Sequence, residues 1–354
     1  MREGSTNTDT TGELLSAMGI VPEADVVRSP SSAPLHVRSR AIGPGPNRFP
    51  ADYAPAVNSD EQPASLGAGA LRALAERHGI RPKRSLGQHF LIDPNLARAI
   101  ASDAGVGPGD RVVEIGAGLG SLTRALADAG AHVLAVEVDP SLVPALEESV
   151  AGLDRVRVLH TDATDREWRD ELGEDEWVLA ANLPYNVATH LILDTLRDVP
   201  QVRRLVVMVQ REVGERLIGT PGEKAYGIPS LRVAYRAEGS LVRRVPPSVF
   251  WPRPRVESVI VRLQRLDAPR VGVDEERLWA VVDAGFAERR KTMRNALRRL
   301  GVDGPGADLL LEGAGIDPSA RAETLSLEDF ARIAEALPPV AHPSVAPPPE
   351  GVST

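Results

Sequence analysis

The chain predicts an α/β fold: a doubly wound, Rossmann-like parallel sheet with a small all-α domain at its C-terminal end. Three observations carry that expectation. Apolar runs of strand length alternate with helix-period segments up to about residue 210. A glycine-rich turn joins one of the buried strands to a helix. Past Asp267 the apolar spacing becomes helical throughout.

Each element has a local reason. "LRALAERHGI" has the spacing of a short helix. "DPNLARAIASDAG" opens on Asp-Pro, an acid at the cap with proline in the first turn, and stops at Gly105. "DRVVEIG" is a buried strand feeding the glycine turn, and "SLTRALADAG" is the helix after it. Strand "HVLAVEVD", helix "PSLVPALEESVAG", strand "VRVLHTD", strand "EWVLAANLPY", helix "VATHLILDTLRD" and strand "VRRLVVMVQ" continue the alternation. "DEERLWAVVDAGFAERRKTMRNALRRL", "ADLLLEGAG" and "LSLEDFARIAEAL" are helical, with a Gly/Pro break after the first. Residues 1–65 are rich in Ser, Pro, Gly, Ala and Asp without a sustained apolar period and read as a disordered extension. The expected organisation is therefore that extension, a catalytic domain over 66–267, a helical domain over 268–337 and a proline-rich tail over 338–354.

Composition narrows the function classes. The 354 residues include no cysteine, which excludes disulfide frameworks, thiolate metal sites and cysteine nucleophiles and suits a reducing cytoplasm. No apolar run approaches the ~20 residues that span a bilayer, and "MREGSTNTDTTGELL" lacks a secretory apolar core. A soluble, cytoplasmic, monomeric protein is expected. The net charge of −8 argues mildly against a nucleic-acid partner, but its distribution argues the other way. Seven arginines crowd residues 242–270 against Glu257 and Asp267, and "FAERRKTMRNALRRL" sets five more and a lysine against Glu288. Local basic patches decide phosphate binding more than net charge does.

The glycine turn "VEIGAGLGSLT" lets backbone approach a nucleotide-like ligand where a Cβ would obstruct. A dinucleotide fingerprint needs G-x-G-x-x-G, and here Gly120 falls one residue early. Glu114, two residues before Gly116, disfavours a pyrophosphate and suits a cationic or zwitterionic ligand such as S-adenosylmethionine (SAM). Glu137 ends the next strand 21 positions after Gly116, where an acid accepts ribose hydroxyls. Asp162 ends the strand after that, placed to accept from an adenine amino group. Alone, each acid reads as a strand-end cap and the glycines as a tight turn; together, on one rim of the sheet, they indicate a nucleoside cofactor.

"NLPY" ends the fourth strand on the same rim. Methylating an exocyclic aromatic amine requires acceptors for both N–H protons, so that the nitrogen lone pair turns toward the methyl donor. The side-chain oxygen of Asn182 and the backbone carbonyl of Pro184 are the expected acceptors. Tyr185 is expected to stack on the base, worth ~1–3 kcal/mol, unless it is a core residue of a strand-to-helix turn. "VFWPRPRVESVIVRL" offers Phe250 as a second stacking face beside Arg253 and Arg255, or else as the core residue of a proline-punctuated edge strand.

The segments "RSLGQHFLIDPN", "VEIGAGLGSLT", "AVEVD", "TDAT", "NLPYNVAT", "VMVQREVGERL", "YGIPSL", "VFWPRPRVESVIVRL" and "FAERRKTMRNAL" occur in this order from about Arg81 to Leu300. In them the chain resembles the KsgA family of small-subunit (16S) rRNA adenine dimethyltransferases. The resemblance implies transfer of methyl groups from SAM to N6 of two adjacent adenosines near the 3′ end of that rRNA, during small-subunit biogenesis. It also implies SAM contacts at His89, Leu91, Gly116, Glu137, Asp162 and Asn182. The implied catalytic loop is Asn182, Leu183, Pro184 and Tyr185, with Phe250 on the target base. Arg289, Arg290, Lys291 and Arg294 would grip rRNA. One position departs: the family has asparagine where this chain has His89. An imidazole changes charge near neutrality, so SAM affinity is expected to vary between about pH 6 and 7.5.

Four other readings share some of these features. A large-subunit rRNA adenine methyltransferase of the antibiotic-resistance type shares the cofactor and aromatic loop, but "RRKTMRNAL" favours the small subunit. A DNA adenine methylase lacks support from any separate base-reading domain. A nicotinamide dehydrogenase is disfavoured by the displaced third glycine and the lack of an evident hydride-transfer histidine. A non-catalytic small-subunit assembly factor is not separated by sequence, since one protein can do both.

Overall fold

The computed structural model describes residues 66–83, 87–184, 187–288 and 290–338. The 1–65 extension, nearly all of the proline-rich tail, Tyr185 and Arg289 lie outside the described residues.

The helices are α1 (Ala68–Arg77), α2 (Pro94–Asp103), α3 (Ser121–Asp128), α4 (Val143–Ser149), α5 (Glu167–Asp170), α6 (Ala188–Asp198), α7 (Arg211–Ile218), α8 (Ile228–Arg236), α9 (Glu275–Ala287), α10 (Met293–Leu297), α11 (Gly304–Gly313) and α12 (Leu327–Ala336). The strands are β1 (Phe90–Leu91), β2 (Arg111–Ile115), β3 (His132–Glu137), β4 (Val156–His160), β5 (Trp177–Asn182), β6 (Val202–Gln210), β7 (Ala237–Val245), β8 (Phe250–Trp251) and β9 (Ser258–Arg265).

Seven strands form one sheet in the order β4-β3-β2-β5-β6-β9-β7. The first five are parallel, as the alternation predicted. β9 and β7 extend the sheet antiparallel. β7 escapes a sequence reading because it is an edge strand with an exposed middle and a register shift between Leu241 and Arg243. Connections leave β2 toward β3 on one side and β5 lies on the other, so the strand order reverses there. In open sheets of this kind, ligands bind outside the carboxyl ends of the strands at that reversal.

Burial explains why the central strands read as unbroken apolar runs. Val112, Val113, Val133, Leu134 and Ala135 are fully enclosed. On one face Leu96 and Ile100 of α2 and Leu122 and Leu126 of α3 pack against Val112, Val133 and Val206. Asp93 caps α2 by accepting from Asn95 N and Leu96 N, with Pro94 in the first turn. The C-terminal helices bury Phe286, Phe330 and Ile333 in a separate core, shared with Tyr226, Leu231 and Tyr235 of the segment around α8.

One arginine of the basic run has a structural role. Arg265 donates from Nε to Val202 O, from Nη1 to Leu196 O, and from Nη2 to Thr195 O and Val199 O, at 2.8 to 2.9 Å. The Thr195, Leu196 and Val199 carbonyls lie at the C-terminal end of α6 and Val202 opens β6; a cation there also complements the helix dipole. Burial, then the nearby Arg203 and Arg236, bring its guanidinium down to about 10. Replacing Arg265 by methionine keeps much of the volume and strands those acceptors. A loss on the order of 3 kcal/mol is expected in urea unfolding; a change below about 1 kcal/mol would show that water satisfies the helix end.

Candidate functional site

The carboxyl ends of β2, β3 and β5, with residues 87–91, enclose a cavity. Its wall includes His89, Leu91, Glu114, Gly116, Glu137 and Asn182. Gly116, Gly118 and Gly120 turn the chain from β2 into α3 with φ of 74°, 59° and 84°. That is the left-handed region, which favours glycine. At Gly120 a Cβ would in addition stand 2.2 Å from Ser149 Oγ.

The tight turn also aims its amides. Gly118 N–H donates to Glu137 Oε2 at 2.8 Å, and Asp139 N–H donates to Oε1 at 2.9 Å. Each oxygen keeps a further lone pair for a ligand hydroxyl, so the acid is oriented in advance. Burial pushes the Glu137 carboxyl up, and those two backbone donors oppose it.

Glu114 is 2 % exposed and accepts from Thr123 Oγ1 at 2.6 Å. Burial pushes its carboxyl up to about 8; the Thr123 hydrogen bond lowers it and the Glu137 charge raises it further. No lysine or arginine stands in the described cavity wall. Two buried carboxyls without a resident cation fit a ligand that brings positive charge of its own.

Asn182 is fixed by chemistry as well as position. Its Nδ2 donates to the His89 carbonyl at 3.0 Å. A carbonyl can only accept, so the amide nitrogen faces His89 and Oδ1 is turned away as an acceptor. His89 is held in turn by Nδ1, which donates to Pro252 O at 2.6 Å. Leu91 pairs with Phe250 in the β1–β8 ladder, and its carbonyl accepts from Ser121 Oγ at 2.6 Å.

Pro184 requires a correction. Its carbonyl, expected as the second acceptor, already takes the N–H groups of Val187 and Ala188 at 3.3 and 3.2 Å as α6 begins. One residue earlier, Leu183 donates its N–H to Met208 O at 3.1 Å, while its carbonyl accepts no hydrogen bond among the described residues. The backbone acceptor beside Asn182 is therefore that of Leu183.

Other expected residues are placed differently. Asp162 lies outside the cavity wall; it is exposed, and its Oδ1 accepts from Thr164 N and Oγ1 as a turn cap. Phe250 is 3 % exposed and packs in the core with Leu91, Met208 and Ile260, so it is a packed side chain here and not an open stacking face. Arg253, Arg255, Arg290 and Lys291 are exposed. Arg294 is exposed as well and pairs with Asp308 at 2.6 Å.

Two residues of the wall were not singled out from sequence. Val138, directly after Glu137, is 46 % exposed and presents an apolar surface suited to a base face. Gln88 also lines the cavity. Val138 was signalled only by an apolar residue following a strand-end acid, a common pattern.

The arrangement can hold a cationic nucleoside and present two adjacent acceptors, Asn182 Oδ1 and Leu183 O, to an amine. Comparison with known proteins points the same way. The family model for ribosomal RNA adenine dimethylase matches residues 79–338. The "Ribosomal RNA small subunit methyltransferase A" of Thermobifida fusca is 46% identical over 274 residues, covering 76% of this chain and 94% of that protein. The protein of the same name from Cutibacterium acnes is 44% identical over 282 residues, covering 77% and 94%. Among solved structures, the 23S rRNA methyltransferase ErmE is similar at a TM-score of 0.55 and 27% identity, covering 70% of this chain and 99% of its own. A dimethyladenosine transferase from Plasmodium falciparum shares the fold at a TM-score of 0.58 and 24% identity, covering 69% and 96%. The chain belongs to the ribosomal RNA adenine dimethylase family.

Proposed function

We infer that this chain transfers methyl groups from SAM to N6 of two adjacent adenosines near the 3′ end of small-subunit rRNA, giving N6,N6-dimethyladenosine during small-subunit assembly. The small-subunit target is favoured over the large by the 46% identity to a small-subunit enzyme against 27% to ErmE. The observation that carries the chemistry is the Asn182 side chain, whose Nδ2 is spent on His89 O so that Oδ1 remains an acceptor.

SAM supplies an electrophilic methyl group on a sulfonium. The chain's own residues supply position. The glycine turn and Glu137 orient the nucleoside, and His89 and Leu91 form the facing wall. Asn182 Oδ1 and Leu183 O accept the two N–H protons of the adenine amine, which localises its lone pair for attack. The lone pair forms the new N–CH3 bond as the S–CH3 bond breaks, its electrons remain on sulfur, and one proton of the resulting acidic ammonium passes to solvent. Exposed Arg253, Arg255, Arg290 and Lys291 are the proposed phosphate contacts, and Tyr185 the proposed stacking residue. The α/β part to residue 267 would carry the chemistry and the helices of 268–337 the rRNA grip, in a monomer acting in the cytoplasm.

The test is transfer of labelled methyl from SAM to purified small subunits lacking the modification, with large subunits and naked DNA in parallel and nuclease digestion of the product. Dimethyladenosine on small subunits alone is expected. Label on large-subunit rRNA instead would overturn the target while keeping the Asn182 chemistry.

A further inference from the structure

Asp139 stands two residues beyond Glu137 and is not part of the cavity wall, yet its side chain is 1 % exposed and heavily bonded. Lys83 Nζ donates to both carboxylate oxygens at 2.8 Å, and Gln88 Nε2 donates to Oδ2 at 2.7 Å. Ser141 adds its N–H and hydroxyl to Oδ1 at 3.0 and 2.6 Å. The Ser141 bonds are those of an ordinary turn; the Lys83 and Gln88 bonds reach more than fifty residues back along the chain and need another reason.

Gln88 supplies it. Its Oε1 accepts from Lys83 N at 2.8 Å, so both ends of its amide are tied to other parts of the chain and its orientation is fixed. It is followed directly by His89, whose carbonyl holds Asn182, and by the rest of the cavity wall. On its other side, the Asp139 N–H donates to Glu137 Oε1 at 2.9 Å. One buried carboxylate therefore connects the wall that carries His89 to the acid that faces the ribose.

We propose that Asp139 is a positioning residue for the methyl transfer: through Gln88 and Lys83 it sets the His89–Leu91 wall against Glu137 and so determines how tightly SAM is held. This rests on the SAM reading given above. The connection persists across the working pH range. Burial alone would raise the Asp139 carboxyl, but hydrogen bonds from Lys83, Ser141 and Gln88 outweigh it and hold it at about 2.

The experiment uses the full chain as wild type, Asp139→Asn, Lys83→Met and the double variant. SAM affinity is measured by calorimetry, KM for SAM and for small subunits by methyl transfer, and melting temperature without ligand. Each single variant should weaken SAM binding and raise its KM by roughly tenfold, the equivalent of one lost charge-assisted hydrogen bond. The double variant should be no worse than Asp139→Asn, since both act on one connection. The kcat at saturating SAM and the KM for subunits should stay within about twofold. Unchanged SAM affinity in Lys83→Met, or in a folded Asp139→Asn, would overturn the proposal, as would a fall in saturating kcat and melting temperature that tracks the loss of affinity. Lys83 is half-exposed, so Lys83→Met decides the matter even if Asp139→Asn does not fold. A wild-type chain that binds no SAM would overturn the cofactor reading itself, a different result from a variant that binds it normally.

Discussion

Asn182→Ala is expected to lower kcat for methyl transfer by about 10²- to 10³-fold, the scale of removing one preorganised polar contact to a transition state. The adenine N6 is a poor nucleophile while its lone pair is shared with the ring. Asn182 Oδ1 and Leu183 O stand at consecutive positions at the end of β5, where together they bind the two N–H groups in a geometry that withdraws the lone pair from that conjugation. Removing the amide deletes one acceptor and also the Nδ2 bond to His89 O. Asn182→Asp separates the two effects, because a carboxylate still accepts but no longer donates to that carbonyl. It should therefore retain part of the rate if acceptance dominates. Small-subunit binding, read by co-sedimentation, should survive Asn182→Ala because the proposed rRNA contacts lie elsewhere. Activity within about tenfold of wild type would remove Asn182 from the chemistry. Loss of subunit binding together with activity would argue against separate catalytic and assembly roles.

The site was legible in sequence where the determinants are local. Apolar runs marked β2, β3, β5 and β6 because parallel strands covered on both faces have no polar alternation to obscure them. The glycines of the turn were visible because positive φ leaves little choice of residue. What sequence alone could not place depended on distant partners. Glu137 and Asp162 carry the same strand-end signal, but β3 adjoins β2 whereas β4 is the sheet's edge, and Asp162 has a nearer donor in Thr164. Pro184 was expected to leave its carbonyl free. Whether it does turns on the residue at which α6 begins, which apolar spacing fixes only to within a residue or two. Phe250 reads equally as a stacking face or a core residue until its pairing with Leu91, more than 150 residues away, is known. The basic run misled in the same way: Arg265 caps a helix and Arg243 pairs with Asp103, so counting arginines overstated the surface free for phosphate.

Glu114 gives the largest pH effect expected of this chain. Its carboxyl stands at about 8 in the folded protein against 4.5 when unperturbed. A raised folded value means the folded state binds the proton more tightly than the unfolded chain does. The associated stability is complete below about 4.5, declines as pH rises, and is lost once pH passes about 8. A shift of this size corresponds to at most about 5 kcal/mol across that window. Glu114→Gln preserves the shape and an acceptor for Thr123 Oγ1 but cannot ionise, so its urea midpoint should fall much less between pH 5 and about 8.5 than that of the wild type. The same group predicts a linkage to the cofactor. Positive charge entering beside Glu114 favours its ionised form, so SAM binding should release a proton near neutrality and tighten as pH approaches 8. Calorimetry in buffers of different ionisation enthalpy measures that release directly. Its disappearance in Glu114→Gln assigns the proton to this carboxyl, whereas an undiminished release would assign it to another group in the cavity.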